Sequence, residues 1–389
     1  MKKSIIISLL TLSFGLMMTS CKSDKPADSV STPVLKPIIE DTTGETTVDT
    51  PIQNTDEDLP PEPGMVRSRL TNEWVSEEQN SLRPVALMIP NSSTASQFGI
   101  SEADILYECN VEGSMTRLMA IIDNWQDYDK LGNIRSCRDY FVYWAFEWDS
   151  IYIHYGGPFY INDIISRDDT QNINCIDFSD GTFRDETAKN TTDDAFTSAA
   201  RIKKGMDHYG YQTTYRSGYA DDHHYVFAPF NEPNDLSAYG EKAFTATNID
   251  MSKAYPVTNC YFKYNEDTGL YDRFQRLSGG SDGPHIDLMN DEQLSFANVI
   301  VQNTYHEVRD QKGYLAFQCH DTTRDGWYFT KGKGIHVNWK KESDYGSTRY
   351  YDDAGNEVLF NTGKTMVLII EDGDTVMVND EAFSSGNTY

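Results

Sequence analysis

The chain has 389 residues, 39% of them hydrophobic and 12% aromatic, and a formal net charge of −27. That length fits two or three domains at roughly 100–200 residues each, with enough apolar content for real cores. The acidic balance excludes nucleic acid as a partner, since phosphates recruit basic surfaces. It also excludes simple adsorption to anionic lipid or wall polymers, so any anion site must be a local exception to the field of the whole molecule.

Residues 1–21 read as a targeting segment. Lys2 and Lys3 precede an apolar run over 5–18 that is short for a membrane span, and the run ends Leu16-Met17-Met18-Thr19-Ser20-Cys21. Small residues directly before a cysteine resemble a bacterial lipobox, which implies cleavage before Cys21 and acylation of that residue. The expected mature protein is tethered to the cell membrane through an N-terminal lipid and faces the extracytoplasmic side. Residues 22–66 are rich in Ser, Thr, Pro, Asp and Glu. Such a stretch buries too little apolar surface to offset its ordering entropy, and a disordered acidic tether is expected there.

The folded part is expected to be α+β, with an α/β domain carrying a mixed sheet over 67–235 and a mostly antiparallel β domain over 250–389. Apolar runs at 84–89, 105–107, 118–122 and 151–154 read as strands. Phe141, Trp144, Ala145 and Trp148 fall at helical spacing behind Ser136 and Asp139, which together resemble a capping box. Helices are also expected over 159–165 and 195–209, the latter ended by Gly210. Beyond a boundary at 231–235, tight turns at 265–269, 352–356 and 371–374 separate strand-like runs and predict three hairpins.

Six cysteines stand at 21, 109, 137, 175, 260 and 319. Assigning Cys21 to lipid leaves an odd number. Cys109 and Cys137 flank strands of the same expected sheet and are candidates for a disulfide, which an extracytoplasmic location permits. There is no paired CxxC, zinc-protease helix, GxSxG, Walker loop or dinucleotide glycine pattern, so no cofactor and no metal is expected. His223 and His224, after two aspartates, would point to opposite faces of a strand.

One constellation remains. Arg117, Arg135 and Arg138 lie close in sequence, the last two bracketing a predicted helix start, with Ser136 between them. Guanidinium forks beside unpaired helix N–H groups suit a phosphate or carboxylate. The competing reading is a structural network with Glu108, Glu112 and Asp139 as salt-bridge partners. His154, ending a strand before Gly156 and Gly157, and His285, within Gly283-Pro284-His285-Ile286-Asp287, complete the candidate ligand-binding set.

The blocks ADILYE (103–108), VEGSMTR (111–117), IRSCRDYF (134–141) and HYGG (154–157) are similar to the signature blocks of the YerB-like lipoproteins. The resemblance runs from about 83 to about 370 and includes the His285 block and Asn361-Thr362-Gly363-Lys364-Thr365. It implies a lipoprotein and assigns no reaction. In order alone, an Asp before an Arg-bearing strand, a later Arg-Asp and a Gly-Gly pair resemble the LytR-CpsA-Psr transferases, which hold a polyprenyl pyrophosphate with arginines. No catalytic role is carried over from that pattern. The expected function is a lipid-anchored cell-envelope protein that binds an envelope protein or an anionic glycan or phosphate ligand. The alternative is an envelope enzyme acting on a phosphate-bearing glycan or polyprenyl carrier through the arginines. A solute receptor is disfavoured, because such receptors have two similar α/β lobes.

Overall fold

The computed structural model describes residues 58–185, 187–188, 193–220 and 224–384. Cys21, residues 1–57 and His223 lie outside the described residues. The architecture is built on one mixed sheet of eleven strands. Its spatial order is Phe244–Thr245, Lys333–Lys341, Thr322–Thr330, Asn298–Thr304, Thr365–Glu371, Ile105–Asn110, Thr116–Ile122, Val85–Pro90, Ile151–His154 and Asn172–Asn174, with Arg349–Tyr351 added beside Lys333–Lys341.

The middle strands run parallel across Asn298–Thr304, Thr365–Glu371 and Ile105–Asn110. They are buried along almost their whole length, because both sheet faces are covered, and this is why they read as unbroken apolar runs. Alternate residues divide between two cores: Val85, Leu87 and Ile89 enter one, Ala86 and Met88 the other. The first core is closed by Ile202 and Met206 of the helix Ala199–Tyr209 and by a seven-stranded antiparallel sheet that contributes Ile249, Phe262, Tyr271 and Val376. The second core is closed by the helix Asp139–Phe146, six of whose eight residues are buried.

The expected α+β class holds, with its mixed sheet and its antiparallel sheet. Several local expectations change. Within the last residues of the expected tether, Met65–Arg67 pairs as a strand with Trp74–Ser76. The hairpin at 265–269 forms between Tyr261–Asn265 and Leu270–Arg276. The turn at 352–356 closes only a single bridge between Tyr351 and Glu357, and Leu359–Phe360 pairs in parallel with Val226–Phe227. The turn at 371–374 is no hairpin: it carries the chain from the central sheet (Thr365–Glu371) into the antiparallel sheet (Thr375–Val378). The expected division between 67–235 and 250–389 follows a change in strand pattern, while the central sheet draws strands from both sides of it. Among the described residues no helix is long and apolar enough to cross a membrane.

Candidate functional site

The hairpin joining Ile105–Asn110 to Thr116–Ile122 turns through Glu112, Gly113 and Ser114, with Gly113 at φ 76°. Arg117 sits at its root, opposite Cys109 on one neighbour and Pro90 on the other, at the C-terminal edge of Val85–Pro90 and Ile105–Asn110. Open sheets commonly gather their ligand sites at this edge. Alternation along the strand places Arg117 on the same face as Met119 and Ile121, the face covered by the helix Asp139–Phe146.

Residues 135–137 cross this edge extended. Arg135 N–H donates to Met88 O, Cys137 N–H to Gly156 O, and Tyr155 N–H to Arg135 O. Those bonds hold the backbone out of helical geometry, so the helix starts at Asp139 and its N-cap is Arg138, with no side-chain cap. The expected capping role of Ser136 is therefore corrected. Its carbonyl accepts from Arg117 Nη1 at 2.7 Å.

The three arginines converge here and are not equivalent. Arg138 holds Glu112 in a two-pronged pair, with Nε to Oε2 at 2.9 Å, and donates from Nη1 to Cys137 O at 2.7 Å. Burial favours the neutral Glu112 carboxyl, but the hydrogen bond and charge of Arg138 hold it below its usual value. Arg135 is half-exposed, and its Nε lies 3.0 Å from Asp193 Oδ1. Arg117 is 5% exposed; among the described residues its one hydrogen bond is to the Ser136 carbonyl, no carboxylate lies within ion-pair distance, and its Nε has no partner. Burial, reinforced by the charge of Arg138, pushes its guanidinium down to about 10. Asp139 faces Arg309, with Oδ2 2.5 Å from Nη2. Among the described residues the locality thus holds four guanidinium groups against three carboxylates (Glu112, Asp139 and Asp193), inside a strongly acidic molecule.

The remaining candidates do not join this cluster. His154 is buried on the arginine side of the sheet, with Nδ1 2.9 Å from Gly156 O and Nε2 3.2 Å from Asn172 Oδ1. Burial keeps its imidazole below the ordinary pKa. His285 lies across the sheet, wedged between the Arg273 guanidinium and Gln97. Burial and the Arg273 charge hold it neutral. Glu108, expected as a partner of the arginines, also faces that far side and pairs with Arg273 at 2.7 Å. Asp287 accepts from Gly99 N–H, Ser101 N–H and the Ser101 hydroxyl, so the His285 block ties the two sheets together.

All five described cysteines are free and buried, which corrects the proposed Cys109–Cys137 disulfide. Burial pushes the Cys137 thiol up to about 12. Three contributors were invisible in the sequence: Asp193, Arg309 and Tyr314, whose ring lies 5.4 Å from the Arg138 guanidinium. They are 55 or more positions from their partners, and no local pattern links them.

A two-faced mixed sheet with a cluster of arginines at its strand ends describes the class of this molecule. Residues 70–212 match the N-terminal domain of the DUF3048 proteins of unknown function, and residues 249–367 match the C-terminal domain. The chain belongs to this family. It is 26% identical over 317 residues to the Bacillus subtilis protein named "Putative lipoprotein YerB", covering 81% of this chain and 89% of that one. The crystal structure of Bacillus subtilis YerB superposes with a TM-score of 0.65 at 22% identity, covering 78% of this chain and 96% of that one, a likeness of fold.

Proposed function

We propose that the protein is a lipid-anchored, extracytoplasmic envelope protein whose arginine cluster binds a phosphate-bearing ligand. Arg117 carries this reading. A buried guanidinium lacking a carboxylate is a costly thing to keep in a protein with such an excess of acids, and an arriving anion would offset that cost. Arg135 and Arg138 already hold one acid each, so Arg117 has no carboxylate of its own and feels only the charge of Glu112, which is paired with Arg138. Binding is favoured over catalysis because burial pushes the thiols of both Cys109 and Cys137 far above neutral pH and both nitrogens of His154 face protein oxygens.

Melting of the full chain with inorganic phosphate, pyrophosphate and sulfate at constant ionic strength tests the cluster. Phosphate or pyrophosphate raises Tm in wild type and has no effect on Arg117→Gln. Without ligand, Arg117→Gln is as stable as wild type or more stable by about 1–2 kcal/mol, because a buried unpaired charge is gone. Absence of any anion-dependent shift in wild type removes the reading. The lipid anchor is tested separately. The name of the relative and the lipobox-like end of the leader support it, and Cys21→Ala is expected to abolish fatty-acid incorporation; wild type without incorporated lipid overturns the anchor.

A further inference from the structure

A cleft of about 520 Å³ lies beside the helix start and shares only Asp139 and Arg309 with the arginine cluster. Its walls come from Asp139 and Tyr143 of the helix, from the segment 159–167, and from Arg309. Phe159 stands at its rim with 70% of its surface exposed, more than any other large hydrophobic among the described residues. That ring is held in place. It rests on Tyr160 at 4.0 Å between centroids, the Tyr160 hydroxyl donates to Asp310 at 3.0 Å, and the Arg309 guanidinium lies 4.9 Å from the Tyr160 ring. Beside the ring, Asn162 and Asp163 are exposed, and their side chains make no hydrogen bond or ion pair with the described residues.

We propose that this cleft binds an uncharged pyranose ring of a glycan. A pyranose has an apolar C–H face and an edge of hydroxyls, each at once donor and acceptor. A preorganised aromatic ring covers such a face at small entropic cost, and its exposed area is the apolar gain. The Asp139–Arg309 pair and the Asn162 amide offer donors and acceptors side by side, and the Asp163 carboxylate adds acceptors, which vicinal hydroxyls satisfy. Charge argues for a neutral ligand. Asp139 and Asp163 balance Arg167 and Arg309, and Arg167 is itself held by Asp169 at 2.8 Å and by Asp344. A nucleotide or other polyanion would meet two carboxylates on the rim and the acidic field of the whole molecule. A size of about 300–1,000 Å³ is usual for small-ligand sites. The proposal stands on Phe159 and its neighbours and does not depend on what Arg117 binds.

The test is a screen of the full chain, kept in a detergent without a sugar headgroup, against an array of neutral oligosaccharides, followed by titration of the strongest. Phe159→Ala is expected to weaken that binding at least tenfold at unchanged Tm, Phe159→Trp to preserve it, and Asp163→Asn to weaken it severalfold. Arg117→Gln is expected to leave sugar affinity unchanged, so failure of the phosphate reading and failure of this cleft are read independently. No binding to any neutral glycan, equal affinity in wild type and Phe159→Ala, or binding of peptides in place of sugars through Phe159 overturns the proposal.

Discussion

Asp104 and Asp123 sit at the opposite end of the hairpin strands from Arg117 and obey the reverse logic. The Asp123 N–H donates to Asp104 Oδ2 at 2.8 Å, which brings the two residues together at the sheet's other edge. Burial raises the Asp104 carboxyl to about 6, and burial together with the Asp104 charge raises Asp123 to about 7. Arg69 and Lys364 moderate the pair, while Glu73 adds repulsion to Asp104. Between about pH 4 and 7 the folded state therefore keeps a proton that the unfolded chain has released. Stability from this pair is fully present below pH 4 and is lost as pH rises through 7. Asp123→Asn removes that loss. It is expected to stabilise the protein by about 1–3 kcal/mol at pH 8 and by little at pH 4.5, a difference readable as Tm at the two pH values. An increment independent of pH would show that the pair does not hold the proton.

Strands and helices were legible wherever one residue pattern reports one environment. The runs at 84–89 and 118–122 are apolar throughout because both faces of the sheet are covered, and the stripe from Phe141 to Ala145 matches a helix that is buried in fact. The helix expected over 195–209 starts four residues late, at Ala199, because Ala195–Thr197 pairs as a strand with Leu131–Gly132 and Ser198 supplies the cap. Pairing was less legible than existence. The acidic turn at 371–374 has the same composition whether it folds a strand back or hands it to another sheet, and only the partners of Thr375–Val378 decide. The site divides the same way. Convergence of Arg117, Arg135 and Arg138 was visible because they lie within 22 positions. Which acid each arginine holds was not, since Glu108 and Arg117 stand on opposite faces of the sheet, and that depends on register.

On the scale of the whole molecule, the two family-defined parts do not correspond to two sheets. Thr365–Glu371 lies between Asn298–Thr304 and Ile105–Asn110, hydrogen-bonded in parallel to both, so the middle of the central sheet is made by both parts. The buried Glu108–Arg273 pair and the bonds from 99–101 to Asp287 cross in the same sense. Cutting the chain near residue 240 would strip Ile105–Asn110 of one neighbour, expose an apolar edge and leave Glu108 buried without its cation, a loss of about 3–5 kcal/mol from the ion pair alone. Two independent domains would melt in two steps, and each would survive as a fragment. The shared sheet predicts one cooperative transition for the folded region, with calorimetric and van't Hoff enthalpies in agreement, and fragments 58–240 and 241–384 that lack cooperative melts when expressed apart. Two resolved transitions in the intact chain, or a fragment that unfolds cooperatively by itself, would mean that the strand Thr365–Glu371 joins the sheet without being needed to hold it.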